Sequence, residues 1–576
     1  MNTDAPSGAG PRLPLAIVLV VLAALLASAA SLGNGFALDD LPMIVDNPRI
    51  RSLADPLGFF EGTYWTTPGL RAAAWRPLTL LAFAVQYAIG DGTPLAFHVT
   101  SVALNAAVAV AVLAFLRALL PTGAALIGAL LFAVHPVHVE AVANVVGQAE
   151  LWVALFVVAA LALYARARRR DALGLPAMLG ILLCFALALG FKEHALVLPA
   201  LLLALELLVL RRSHAPASDG WRRIRALHYA LAALAVLWFV TQMEQVGGVN
   251  AGSPHAALAG RGMLERSWIM LALVPEFARL FLWPARLYAD YAPQLVPVLP
   301  TPSGTHVWGA LGVAGWATAL IATWRRWPVV ALGLVWLPIS LALVANVLVP
   351  TGILLAERTL LLPSVGVVLS VAAAGAALWP RLGTLPPGVP RVTLVATLGL
   401  VVLGASHSAQ RSLAWKDNLT LVTTLVTDAP QSSRAQFWLA DELIQQQELA
   451  AGEVALRRAM ALWPEYPNVP LALAATYQST GHCDAALPLF ERVIVLDPTN
   501  ASAHFGYAGC LLNLGRFTDA RMESLRGAAK ARSATAFRIV LYAADSALAA
   551  TDSVRGNNFW LRRQAQQAGR TPGPGA

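Results

Sequence analysis

Residues 13–50 read LPLAIVLVVLAALLASAASLG followed by NGFALDDLPMIVDNPRI. The first 21 of these carry no charge, and a helix of about 20 apolar residues is what a bilayer core demands. Asp39 and Asp40 therefore stand side by side at the mouth of a membrane span. Adjacent carboxylates repel each other and are costly to desolvate, so the pair needs a reason. One reason is structural, because Asp favours the first turn of a helix and a short helix can start here. The other is chemical, a carboxylate held ready to take a proton.

The apolar character of the opening stretch extends along the chain. Of 576 residues, 57% are hydrophobic and 13% are charged, against about 25% charged in a soluble protein, so most of the chain is membrane. The formal charge of +9 would suggest nucleic acid in a soluble protein. Here the basic residues form short clusters between apolar runs, and no aromatic-and-basic interleaving accompanies them, so positive-inside loops explain them and nucleic acid is excluded as a partner. Cys184 lies in an apolar run and reads as packing, Cys483 and Cys510 permit a disulfide, and no cysteine spacing suits a metal. Arg12 ahead of the apolar core and ASAAS after it imitate a cleaved signal, but later spans need an anchored first helix, so it reads as uncleaved.

Apolar runs give about eleven spans, near 14–33, 95–120, 122–136, 147–165, 174–190, 195–211, 228–244, 306–324, 328–349, 359–379 and 392–406. The stretch WRPLTLLAFAVQYAIG (75–90) is too short and polar for a span and reads as interfacial. The basic clusters RARRR (166–170), RR (211–212), WRRIR (221–225), WRRW (324–327) and WPRL (379–382) all follow even-numbered spans. That puts them on one side, the cytoplasmic one. The segment 263–287 would invert every later loop if it spanned, so it reads as interfacial or re-entrant on the outer side.

Beyond residue 406 charged and amide residues return. Prolines at 430, 464 and 498 recur every 34 residues, the tetratricopeptide period, in which Pro closes the second helix of each pair. Tyr477, Gly481, Ala486 and Phe490 fill the characteristic positions of one unit; Gly515 and Ala520 mark the next, and Ala451 and Leu456 the one before. About three helix pairs follow, because such repeats need neighbours to bury their faces. The fold expected is all-α: a polytopic membrane domain over 1–406, a repeat solenoid over 407–535 on the non-cytoplasmic side, and a helical or disordered tail over 536–576 ending in RTPGPGA.

The topology gathers the outer loops on one surface, with Asp39, Asp40, Arg76, His98, His135, His138, Glu140, Glu150, Lys192, Glu193, His194, Glu357 and Arg358. Acids, bases and histidines so close to the bilayer suit an active site that needs a carboxylate base and cations for a phosphate. Plain readings compete. His135 and His138 bracket Pro136 and can cap a helix, Lys192–Glu193 and Glu357–Arg358 can be simple ion pairs, and Arg76 can anchor an interfacial helix. Glu150, several residues into an apolar span, is the hardest to explain structurally.

Several segments occur in the order of one known family: LDDLPMIVDNPRI, WRPLTLLAFAVQYAIG, FHVTSVALN, FAVHPVHVEAVANVVGQAELW, FKEHALVLPALLL, FLWPARLYADYAP, LAERTLLLPSVGVVLS and AWKDNLTLVTTLVTDAP. From about 14 to 530 the chain resembles the transmembrane and tetratricopeptide-repeat (TMTC) O-mannosyltransferases and their bacterial relatives, within the GT-C glycosyltransferases. The resemblance implies an enzyme moving a sugar from a polyprenyl-phosphate carrier to an acceptor hydroxyl, on a protein Ser or Thr, with inversion. It implies a site facing the periplasm of a bacterial inner membrane. Asp39 and Asp40 match the acidic pair in which one carboxylate is the base. Arg76, His135, His138, Glu150, Lys192, Glu357 and Arg358 are then the residues expected around the sugar donor and carrier lipid. A divalent metal is compatible with these acidic loops and is not required by them. The family pattern has arginine where Gln148 stands, so this chain is expected to lack one phosphate contact. Two other readings remain: a non-catalytic scaffold displaying repeats for envelope assembly, and a transporter, for which the internal halves of similar pattern are absent.

Overall fold

The computed structural model describes residues 13–65, 74–213, 218–246, 255, 258–291, 301–382, 389–530 and 535–550, and among them every regular element is helical. The chain divides into two compact units, residues 1–425 and 426–576.

In the first unit α1 (Leu13–Ser28) tightens into a 3-10 turn before the outer loop. Next come α2 (Pro77–Gly90) and α3 (Pro94–Arg117), each opened by a proline where a missing N–H costs nothing. Then follow α4 (Thr122–Ala133), α5 (Val139–Ala143), α6 (Gln148–Arg169), α7 (Leu175–Phe191), α8 (Leu198–Leu205), the short α9 (Arg211–Ser213) and α10 (Ser218–Val246). The later elements are α11 (Met263–Leu271), α12 (Val274–Leu282), α13 (Gly304–Thr323), α14 (Pro328–Leu341), α15 (Leu361–Leu382), α16 (Val389–Ser412) and α17 (Asn418–Asp428). Among the described residues seven helical stretches are long and apolar enough to cross a membrane, or eight if the bent pair Thr122–Ala133 and Pro136–Ala143 is one span. Helices α7 and α14 occupy two of the other expected positions but are shorter, so the expected eleven is not reached by this measure. The 263–287 stretch is two nine-residue helices, α11 and α12, each only about 14 Å long and unable to span alone.

The path between α4 and α6 is a staircase, and its steps are written in the sequence. Pro136 disfavours helix at the residue before it, and His135 is accordingly extended, with its Nδ1 accepting the Val137 N–H at 3.3 Å. The chain bends there by 49°. Asn144 makes the second step, its side chain accepting the Val146 N–H at 3.2 Å. Gly147 makes the third, because a Cβ there would lie 2.8 Å from the backbone of Glu140 and Ala141. These steps place Glu140, Val145, Val146 and Glu150 around one spot. Helix α6 then runs through the core with Leu151, Ala154, Val157, Val158 and Leu161 fully buried. Its last turn carries Arg166, Arg168 and Arg169, the sign its dipole favours.

Among the described residues the second unit holds three helix pairs, α18 (Ser433–Gln445) with α19 (Leu449–Leu462), α20 (Asn468–Ser479) with α21 (Cys483–Leu496), and α22 (Ala501–Asn513) with α23 (Phe517–Ala528), and a further helix over 535–550. The turn inside each pair needs left-handed backbone, and Gln447, Gly481 and Gly515 supply it with φ of 65°, 83° and 74°. Ala486, Phe490, Leu456 and Ala520 are buried as the repeat pattern requires. One position is corrected. Ala451 is exposed, and buried Gly452 takes the alanine place, since a Cβ on Gly452 would meet Ile444 at 2.6 Å. Cys483 and Cys510 are both buried free thiols. Residues 551–576, with the expected RTPGPGA tail, lie outside the described residues, as does Arg12.

Candidate active site

The two aspartates that share one peptide bond have different environments. Asp40 is buried, and its carboxylate accepts N–H groups from Val146 at 2.8 Å, Val145 at 3.2 Å and Ala37 at 3.4 Å. It caps the turn that leads into α6 and pins the first outer loop to it. Burial pushes its pKa up to about 7, while the three N–H groups pull the other way. Asp39 keeps 35% of its side chain exposed and lies 3.1 Å from the Arg358 guanidinium.

Arg358, at the start of the 3-10 turn before α15, uses the same Nη1 on Asp39 and on Glu140, the latter at 3.3 Å. Glu140 also accepts the Arg358 backbone N–H at 2.9 Å. Lys192 pairs with Glu150, and His194 Nε2 lies 3.1 Å from the same carboxylate. Arg76 forms a two-pronged pair with Glu193 at 3.0 and 2.6 Å, its guanidinium 5.0 Å above the Tyr64 ring. Burial opposes the Arg76 charge, and Glu193 more than restores it. Lys192 is within electrostatic range of Arg76 and Arg358, and Glu150 of Arg358, so the three pairs form one network. The three cations keep 13–14% exposure, whereas Glu140 and Glu150 keep 3%. Glu140 and Glu150 thus form the floor, the cations lie above them, and Asp39 and Glu193, at 35% and 38% exposure, stand at the opening.

Of the residues expected at the site, Asp39, Arg76, Glu150, Lys192 and Arg358 come together here, with Asp40 behind them. The remaining three point elsewhere. Glu357 accepts the Tyr288 N–H and the Tyr291 hydroxyl, both at 2.6 Å. His135 meets the Phe281 carbonyl at 3.1 Å, and His138 meets Ser364 Oγ at 2.8 Å. Both histidines line a small polar recess with Ser28, Asn105, Ser408 and Ser412. Gln148, expected to leave one phosphate contact missing, makes its bonds elsewhere. It is fully buried, bonded to Gln86, Ser101 and the Phe97 carbonyl, and faces the α2–α3 packing rather than the cations.

Glu140, Glu193 and His194, gathered with the outer-loop set but given no role at the sugar donor or carrier lipid, also belong to this network. The sequence reading missed Tyr64, which is fully buried, with a hydroxyl lacking a hydrogen-bond partner among the described residues. Burial pushes the Tyr64 phenol up. Only the fold brings its loop over Arg76. Among the described residues no group of three His, Cys, Asp or Glu side chains is arranged to hold a metal ion.

A multi-pass helical membrane unit with a cluster of paired acids and cations at one end, followed by tetratricopeptide repeats, defines the class. The tetratricopeptide repeat family matches residues 471–536. The chain is similar to Protein O-mannosyl-transferase TMTC3 of Homo sapiens, 28% identical over 425 residues covering 68% of this chain and 45% of that protein. It is also similar to Protein O-mannosyl-transferase TMTC4 of Homo sapiens, 25% identical over 484 residues covering 73% of this chain and 62% of that one. Protein O-mannosyl-transferase Tmtc3 of Drosophila melanogaster is 23% identical over 572 residues, 86% of this chain and 56% of the relative. The chain spans about half the length of these relatives. The TMTC resemblance read from the motifs is borne out by these homologues.

Proposed function

We propose that this chain is a membrane glycosyltransferase that moves a sugar from a polyprenyl phosphate to a Ser or Thr hydroxyl of a protein. The names of its relatives suggest mannose as the sugar. The observation that carries the reading is the division of labour between the aspartates. Asp40 is consumed by backbone N–H groups, and Asp39 is left half-open beside the Arg358 guanidinium. Asp39 draws the proton from the acceptor hydroxyl as its oxygen bonds to the anomeric carbon. The bond from that carbon to the phosphate oxygen breaks in the same step, and the electron pair leaves with the polyprenyl phosphate. One displacement inverts the anomeric centre.

The leaving phosphate gains negative charge, which preorganised cations stabilise best. Arg358 commits only Nη1 to its two carboxylates, so its other nitrogens are available to an anion. Arg76 and Lys192 stand in the same opening. The site faces the periplasm of a bacterial inner membrane, and the repeats offer a concave surface to a protein acceptor. The test is transfer from polyprenyl-phosphate-[3H]mannose to Ser/Thr-rich peptides by purified protein in vesicles, with the product's anomeric configuration read by NMR. Inverted product is expected. A retained configuration, or incorporation that survives loss of both aspartates, overturns the reading.

A further inference from the structure

Leu38, immediately before Asp39, has a φ of 48°. A non-glycine residue in left-handed backbone is strained, because its Cβ crowds the following carbonyl oxygen, and it persists only where its surroundings hold it. Here the holding groups come from the other end of the membrane unit. The Leu38 N–H donates to Asn418 Oδ1 at 3.0 Å. Two residues before the strained turn begins at Ala37, the Gly35 N–H donates to the Lys416 carbonyl at 2.6 Å. A Cβ on Gly35 would sit 3.3 Å from that carbonyl oxygen. Asn34 Nδ2 reaches the Ser412 carbonyl at 2.9 Å, and buried Trp415 packs against Ala37. On the other flank, Asp40 is locked to Val145 and Val146. Asp39 is thus suspended between two fixed points, and among the described residues its carboxylate meets only the Arg358 guanidinium.

We infer that Asn418 is a positioning residue: its side-chain oxygen holds Leu38 in the left-handed conformation and so sets the direction of the Asp39 carboxylate. The Leu38 carbonyl also accepts the Leu41 N–H at 3.1 Å. Relaxing Leu38 to extended backbone would break that turn and swing the next residue away from Arg358. The catalytic consequence rests on the proposed role of Asp39; the positioning itself does not.

Two measurements on the full chain in nanodiscs keep these apart. In Asn418→Ala, hydrogen–deuterium exchange over residues 36–42 should rise at least about tenfold. Sugar-transfer kcat should fall about 10- to 100-fold with donor KM unchanged, the scale on which misplacement of a catalytic group is felt. Asn418→Asp keeps the acceptor oxygen and should restore both readouts. Leu38→Gly introduced into Asn418→Ala removes the strain instead and should recover part of kcat. Unchanged exchange in Asn418→Ala, or Asn418→Asp behaving like Asn418→Ala in both readouts, overturns the inference. A wild-type protein without transfer activity overturns the functional reading instead, and the exchange data then decide the positioning alone.

Discussion

Helix α6 is tied to the 192–210 segment at both of its ends, and the two ties are built differently. At one end Glu150 meets Lys192 and His194, with the cation partly exposed and further charges within reach. At the other, 18 residues along and so about 27 Å away, Arg168 grips Glu206 with two bonds of 2.9 and 2.8 Å, and Tyr164 adds a third at 2.8 Å. There both partners are closed off, at 3% and 1% exposure. The second arrangement satisfies its charges completely and has nothing left for a ligand. The first is open on its cationic side, which is costly so near a bilayer unless something binds. Ion pairs on the same two segments thus form a clamp at one end and, in the proposed function, a receptor at the other.

The sharpest way to break this contrast is Asp39→Asn, which removes the proposed base and weakens only its half-exposed pair with Arg358, leaving the Asn34, Gly35, Leu38 and Asp40 bonds in place. Transfer should fall about 10³-fold with the melting temperature unchanged; retained transfer would sink the assignment. At the closed end Glu206→Ala leaves Arg168 buried without its main partner and should cost about 3–5 kcal/mol of stability. The protein that stays folded should keep its kcat, and Arg168→Met with Glu206→Leu should recover most of the loss. A stable Glu206→Ala protein would mean that this tie is not a clamp. Arg358→Lys retains charge but loses the spare guanidinium nitrogens; about 10²-fold weaker transfer with a raised donor KM is expected, because Lys cannot replace a forked donor.

The effect at Asp40 is read through pH rather than through transfer. Its folded pKa is raised to about 7 by burial, above the unfolded value of about 3.9, so the folded state holds the proton more tightly. That contribution is full below pH about 4 and is lost as pH rises to about 7. Asp40→Asn should flatten this part of the stability–pH curve, which thermal unfolding at several pH values would show.

The spans and the repeats were legible because each is a local pattern, an apolar run or a 34-residue recurrence. Even there the reading slipped by one residue at Ala451, where sterics against Ile444 select Gly452. The polar residues of the site were legible as a set, since charges at span ends stand out against an apolar background. Their pairing was not, because Arg76 finds Glu193 across 117 positions through packing alone. Gln148 shows the same limit: the motif gives its place in the chain, and only the fold shows that it faces inward. Arg168 was hidden in a cluster that reads as a solvated loop. Its signal was the lone Glu206 in LLLALELLVL, a buried acid in need of a cation.

The bond between Asn34 and Ser412 closes a loop of 378 residues, and it has a consequence for how the protein is made. At about 5–20 residues per second of synthesis, the first outer loop leaves the ribosome well before its fastening segment exists. For roughly half a minute the membrane holds a nascent chain whose Asp39 has no fixed direction. The site is completed only when nearly the whole membrane unit has been inserted, so the proposed activity and completed insertion would arrive together.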